Sequence, residues 1–546
     1  MKFHFILPAR WPDSHSTGLF RNLCLVLLFS LVCESSYSQS LASLKKIDGT
    51  MRLIQDNRPM ILLSGELHNS TSSTPISFRK AMATVRKMGL NALIGSVSWE
   101  QVEPREGKYD FSVLDSMIRI ADEARMPLVL IWFASYKNGE SSYAPLWVKK
   151  DTKRFFRVRD SLNYNTTTLS PFCKEVIKAD SKAYSQMLLH IKKTDVNRRI
   201  CMIQVENEMG AFVDIDHSPE AQKAFVGPVP KELTDYLDKY GSQTGNTLFR
   251  RWEANGRKRQ GSWEELFGRG DLTHQFFMAA AFAQFAEEVT RAGKKAYPLP
   301  TYVNCWMADE DAKPGSYPNG GPRPTVLDIY KALAPSIYLL APDIYRPTLY
   351  SIVESYHRPD NPLFIPELRL EAGNAYYVLA EHDAICFSPF GIEDACQDSI
   401  FIQEYHTLNN LLPVISQYQG TGKMHGFVRQ EEIDSPDDTL HLNFGTFEME
   451  VRYLREARRA HGMAVKVGDD EFIVAGVGCE VFFHSTQDGQ ICKIGWAEEV
   501  EPADGGWRTL RVLNGDETGH HNWLPLAQRQ SVSRIYRIRL YTYPEK

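Results

Sequence analysis

Residues 60–97 read MILLSGELHNSTSSTPISFRKAMATVRKMGLNALIGSV, and the order of apolar runs and turn signals in them decides the fold class. Residues 60–63 are a short apolar run suited to a strand. Thr74-Pro75 supplies an N-cap with proline at the first helical position, Phe78, Met82 and Val85 fall on one helical face, and Gly89 stands where a C-cap belongs. Residues 92–97 are the next strand. Strand, amphipathic helix and strand in immediate succession are the unit of a parallel sheet.

The unit repeats downstream. Leu114, Met117, Ile118 and Ala121 form a helical stripe that ends before Pro127, and the continuous apolar run 128–133 suits a strand buried on both faces. Helices are expected around 183–191 and 276–292, and strands at 200–205, 300–303, 337–341, 363–365 and 384–387. Eight such strands across residues 45–420 predict a (β/α)₈ TIM barrel. A Rossmann sheet is disfavoured, because no GxGxxG turn follows the first strand.

Past a helical stretch at 400–417 the period changes to two. Short strands are expected at 471–475, 480–484, 491–496, 508–513 and 536–543, with turns at Asp488-Gly489 and Asn514-Gly515. A smaller, all-β, sandwich-like domain is therefore expected over 421–546. No Pro/Gly/Ser-rich spacer separates 417 from 471, and the partly apolar 424–428 and the helical or extended run 447–460 lie between them. The β domain is accordingly expected to pack on the barrel.

Bulk composition narrows the partners. A chain of 546 residues with net charge −5 has no basic surplus for nucleic acid, and its 43% hydrophobic and 24% charged residues match a globular protein. The apolar run 23–32, preceded by Arg10 and Arg21, is too short for a mature membrane span. With the small-x-small site Ser36-Tyr37-Ser38 it predicts a signal peptide over 1–38 and export to the periplasm or beyond. Cys33 is flanked poorly for a lipobox by Ser30 and Val32. The cysteines beyond residue 38 are odd in number and contain no CxxC pair, so neither a disulfide framework nor a zinc site is indicated. With no HExxH and no His-x-His on a strand, no metal or other cofactor is expected.

In a barrel of this kind, side chains at the C-terminal strand ends reach the active site. Polar groups at the ends of three runs stand out: Glu206-Asn207-Glu208 after strand four, Glu367 after strand seven, and Glu66-Leu67-His68 after strand one. Cleaving a glycoside with retention needs two carboxyl groups about 5 Å apart, one protonated and one ionised. Glu208 and Glu367 can face each other across the mouth. Glu206 is the weaker candidate by strand alternation relative to Asn207, and Glu371 is a rival that lies four residues past the strand end.

Here a resemblance enters. QVENEMG (204–210), SGELHNS (64–70) and WEQVEPREGKYDF (99–111) resemble motifs of glycoside hydrolase family 35 β-galactosidases, in a bacterial branch also similar to family 42. PGSYPNGGP (314–322), APDIY (341–345), FIPE (364–367) and FSPFGIED (387–394) extend the likeness over most of 50–420. It implies Glu208 as acid/base, Glu367 as nucleophile, Asn207 on the sugar 2-hydroxyl and Tyr345 hydrogen-bonded to the nucleophile. Glu66, His68, Trp99 and Asn138 would line the sugar subsite, and a β-rich C-terminal domain of unknown function would follow. The expected substrate is a carbohydrate with a terminal β-galactosyl residue. Two departures leave the sugar open: WFASYKN (132–138) stands where better-known members carry a Cys-Ala-Glu-Trp segment, and Met209 replaces an aromatic. A related arabinopyranosidase or fucosidase, or an inactive sugar-binding barrel, are the alternatives.

Overall fold

The computed structural model of the chain describes residues 40–309, 311–347, 349–430, 439–455, 457, 459–526 and 532–546. The expected signal peptide at 1–38 lies outside them. Eight parallel strands form one sheet: β1 (Leu62–Leu63), β2 (Leu93–Ser98), β3 (Leu128–Lys137), β4 (Ile200–Asn207), β5 (Thr301–Trp306), β6 (Leu339–Ile344), β7 (Phe364–Leu368) and β8 (Cys386–Pro389). The sheet closes at Glu66, which bridges Ile94 of β2 on one side and Phe390, just past β8, on the other.

A helix follows every strand, in order α1 (Pro75–Val85), α2 (Ser112–Ala124), α3 (Lys174–Thr194), α4 (Asp271–Ala296), α5 (Leu327–Leu333), α6 (Leu349–Tyr356), α7 (Asn374–Glu381) and α8 (Ser399–Tyr418). The Thr74 hydroxyl accepts the Ser77 N–H to cap α1, with Pro75 at its first position. Phe78, Met82 and Val85 are buried on the face expected from their spacing. Apolar side chains alternate between two cores. One, with Ile94, Ile131, Met202, Ala341 and Phe364, fills the barrel, and the other, with Leu93, Leu130, Ile203, Leu340 and Ile365, packs under the helices. An antiparallel hairpin of Ser43–Ile47 and Thr50–Gln55 adds Leu53 to the inner core, and Ala42 just before it adds to the same core, stoppering the end opposite the mouth. Among the described residues, no helix is long and apolar enough to cross a membrane.

The remaining strands are antiparallel. A six-stranded sheet comprises β9 (Met424–Val428), β12 (His461–Lys466), β13 (Glu471–Val477), β15 (Gln490–Ala503), β16 (Gly506–Val512) and β18 (Arg534–Pro544). A four-stranded sheet comprises β10 (Thr439–Asn443), β11 (Phe447–Tyr453), β14 (Cys479–Ser485) and β17 (Trp523–Leu526). Phe427, Phe447, Phe472, Phe483, Leu524 and Ile538 share the core between them. The run 447–460, which the sequence left as helical or extended, is thus a strand in its first half. Asn514-Gly515 does not turn a hairpin: the Asn514 N–H donates to Glu517 and the Glu517 N–H to Asn514, 3.1 and 2.9 Å, inside a loop that leads to β17.

Side chains of α7 and α8 meet β9 and β12 directly. A Cβ at Gly426 of β9 would lie 2.2 Å from the Tyr376 carbonyl oxygen of α7, so only glycine lets the strand lie this close to the helix. The Tyr376 hydroxyl and the Ser533 N–H donate to the buried Glu404 carboxylate at 2.8 and 2.6 Å, and His461 Nε2 stands 3.3 Å from it. The apolar core under the helices continues through Met424, Val428 and Met463.

Candidate active site

The end of β4 is where the backbone departs from a regular strand. Glu206 and Glu208 have φ of 62° and 45°, in the left-handed region that costs a non-glycine residue about 1 to 3 kcal/mol. Strict alternation would put these two glutamates on one face and Asn207 on the other. The two left-handed residues break it. Glu206 turns away, accepting the Tyr136 N–H at 2.7 Å and hydrogen-bonding Asp180 of α3, while Asn207 and Glu208 both reach the mouth. Glu206, the weaker candidate, is thus turned from the mouth by backbone distortion and not by alternation. Neighbouring strands hold the distortion: Asn304 Oδ1 of β5 accepts the Glu208 N–H at 2.8 Å, and the Asn138 and Gly139 N–H groups donate to the Asn207 and Glu208 carbonyls at 3.2 Å.

Glu208 and Glu367 are 5% and 7% exposed, and Glu66 and Asp343 complete a cluster of four buried carboxyl groups. Burial, then the charge of Glu367, pushes Glu208 up to about 7. Glu367 is raised by burial but pulled back by Lys137, by the Tyr345 hydroxyl, which donates to its Oε1 at 2.5 Å, and by the Asn207 amide. The environments thus push the two glutamates apart: Glu208 keeps a proton near neutral pH, and Glu367 is the better anion. Burial and the neighbouring carboxylates hold Asp343 and Glu66 well above the usual range. Asp343 hydrogen-bonds Glu208 and accepts from Asn304 Nδ2 at 2.7 Å.

Around this cluster the expected subsite residues divide. Glu66 is 1% exposed, and among the described residues neither of its carboxyl oxygens has a hydrogen-bond partner. The buried Asn138 Oδ1 likewise has none. Such atoms call for hydroxyl groups of a ligand or for water. His68 sits at the rim with its Nε2 2.9 Å from Asp394 and its ring edge-on to Phe390. Trp99 corrects the expectation: it is fully buried in the core under the helices, donates Nε1–H to Glu103 at 2.9 Å and packs edge-on against Trp147, so it lines no sugar subsite. The 99–111 motif around it is structural, since Glu103 also accepts the Gly107 N–H at 2.7 Å. Glu371 is exposed and accepts from Asn374 at the start of α7, away from the cluster.

Lys137, Asp343 and Asn304 are neighbours of the glutamate cluster that the sequence did not single out. Lys137 ends β3, is 9% exposed, donates from Nζ to Asn207 Oδ1 at 2.8 Å, and its charge lowers Glu66, Glu208 and Glu367 together. All three lie at C-terminal strand ends. Applying the strand-end criterion to all eight strands would have reached Asn304 and Asp343, which lie within two residues of the expected ends at 303 and 341, but not Lys137, four residues past 133.

The separate sequence motifs are brought into pairs. Gly391 of FSPFGIED has φ of 66°, and a Cβ there would lie 2.9 Å from the His68 ring of SGELHNS. Gly210, the last residue of QVENEMG, and Ala211 after it pair with Gly320 and Asn319 of PGSYPNGGP, and a Cβ at Gly210 would lie 2.4 Å from the Pro318 backbone. These glycines let loops cross at backbone distance around the mouth.

Comparison with known proteins finds likenesses to parts of the chain. Residues 52–253 match the family model for glycosyl hydrolases family 35, and residues 401–525 match a domain of unknown function, DUF5597. β-Galactosidase 13 of Arabidopsis thaliana is 26% identical over 214 residues, which are 36% of this chain and 23% of that protein. A β-galactosidase of Xanthomonas manihotis is 27% identical over 175 residues, 31% of this chain and 26% of that protein. The chain spans about a quarter of the length of these curated relatives. A solved β-galactosidase from Rahnella sp. R3 aligns with TM-score 0.45 and 14% identity over 68% of this chain and 57% of that one. The family 35 match contains Glu66, Asn207 and Glu208 and stops before Tyr345 and Glu367.

Proposed function

We propose that the chain is a retaining, exo-acting β-glycosidase that releases terminal β-D-galactosyl residues from oligo- or polysaccharides. The observation that supports this most is the asymmetry of two buried glutamates, Glu208 pushed up to about 7 and Glu367 held toward its anion by Lys137, Tyr345 and Asn207. Glu208 then protonates the glycosidic oxygen as the bond to the leaving group breaks. Glu367 Oε attacks the anomeric carbon and forms a glycosyl ester. In the second half, Glu208 takes a proton from water, the resulting hydroxide adds to the anomeric carbon, and Glu367 leaves as carboxylate. The low exposure of both glutamates suits a single terminal sugar. Acceptors on Glu66 and Asn138 suit a neutral, hydroxyl-rich ring over an acidic one. The family 35 match and the β-galactosidase relatives support galactose.

A panel of nitrophenyl β-glycosides, with galactosides, arabinopyranosides and fucosides included, tests the reading on the mature protein. Galactoside turnover is expected to lead. Glu367→Gln should abolish turnover, whereas Glu208→Ala should keep slow turnover of good leaving groups and yield the β-glycosyl azide when azide is added. Release of no sugar, or equal and unrescued loss in both variants, would overturn it. Export is proposed on the 23–32 run and the Ser36-Tyr37-Ser38 site. Protein from its native host should begin at Gln39, and an intact Met1 there would refute this.

A further inference from the structure

Two aromatic side chains stand in solvent on the Glu208 side of the mouth. Phe212 is 46% and Trp306 37% exposed, and their rings meet edge to face with centroids 6.4 Å apart. Each is tied to Glu208 through the backbone. Trp306 ends β5, two residues past Asn304, which accepts the Glu208 N–H. Phe212 follows the Gly210–Ala211 strand that leaves β4 just after Glu208. It also lies against Gly139, where a Cβ would come 3.0 Å from its ring, and the Gly139 N–H donates to the Glu208 carbonyl. Two large rings left open beside a catalytic cluster expose apolar area that burial would otherwise stabilise.

We propose that Phe212 and Trp306 form the leaving-group subsite, on which the sugar ring bearing the scissile oxygen stacks by its apolar face. The substrate is then an oligosaccharide or glycan whose second unit is a pyranose, not a glycoside of a small or acyclic alcohol. The inference rests on Glu208 being the acid, because an acid must reach the glycosidic oxygen, and the leaving group therefore lies on its side of the mouth. The electron-rich ring faces attract the C–H-bearing face of a pyranose while its hydroxyls stay in water. Tyr345, the exposed aromatic on the nucleophile side, has its hydroxyl committed to Glu367 and belongs to the chemistry instead.

Phe212→Leu and Trp306→Leu keep apolar bulk and remove the flat faces. Each full-length variant is to be compared with wild type on two substrates of the sugar that the nitrophenyl panel identifies: its β-linked disaccharide, and its β-glycosyl fluoride, whose leaving group is too small to reach the rings. Each variant is expected to lose about five- to tenfold in kcat/KM on the disaccharide and to stay within about twofold on the fluoride. Trp306→Phe should recover part of the loss. Equal losses on both substrates would show that the rings merely support the site, and no loss on either would show that they touch no leaving group; both overturn the inference while the functional reading stands. Wild-type protein that cleaves neither substrate overturns that reading, and this inference with it.

Discussion

Burial and the charge of Glu367 push Glu208 up to about 7, and in the proposed mechanism its proton is what the first chemical step consumes, so kcat/KM should fall as pH rises through about 7. The proposed mechanism needs Glu367 ionised, and burial raises it above the usual carboxylate range, so activity should also fall as pH drops through that raised value. A bell with its maximum on the acid side of neutrality is expected, and Glu208→Gln assayed on a dinitrophenyl glycoside should lose the alkaline limb. A limb that persists in this variant would assign it to another group. Tyr345→Phe removes a hydrogen bond to a buried anion, expected to cost roughly ten- to a hundredfold in turnover and to move the acid limb upward. Lys137 lowers both glutamates, so Lys137→Met should shift both limbs to higher pH. A lysine that merely packs beneath Asn207 would change rates and leave both limbs in place.

Strands are where sequence reading fell short by a consistent margin. Expected runs ended at 133, 205, 303, 341, 365 and 387, but the strands continue to Lys137, Asn207, Trp306, Ile344, Leu368 and Pro389. The apolar signal stops where side chains begin to serve the site, while the backbone ladder goes on. Between α3 and β4, Asp180 and Glu206 form a buried carboxyl pair, both raised by burial, with Tyr136, Ser135 and Trp132 supplying the surrounding donors. A raised carboxyl holds in the fold a proton that the unfolded chain has lost. Its stabilisation is complete below the unfolded value of 4.5 and is lost as pH rises toward the folded one. Glu206→Gln keeps a donor for Asp180 without that titration. The melting temperature of the variant minus that of wild type should therefore grow between about pH 4 and pH 8. A constant difference would mean that the pair does not share a proton.

At the scale of the whole molecule, the barrel and the β sheets are joined by side chains rather than by a tether. Truncation after residue 420 would bare Tyr376 and the face of α7 that Gly426 approaches, so the shortened chain should lose solubility and melt at lower temperature. In the full chain, Gly426→Ala should destabilise by about 1 to 3 kcal/mol through overpacking against the Tyr376 carbonyl, read by denaturant unfolding. A variant as stable as wild type would show that the seam yields freely. By itself the sequence determined the barrel, because alternating strand and helix periods are local properties, and it singled out Glu208 and Glu367, because carboxyl groups at strand ends stand out against apolar runs. The β-rich tail was legible only where alternation was clean, so Thr439–Asn443 and Trp523–Leu526 went unseen. Only the tertiary structure decided that Trp99 is core, that two left-handed residues turn Asn207 and Glu208 together into the mouth, and that Lys137 and Asp343 stand among the glutamates. Those facts depend on burial and on charges contributed by strands far apart in the chain, and neither quantity exists until the strands are assembled.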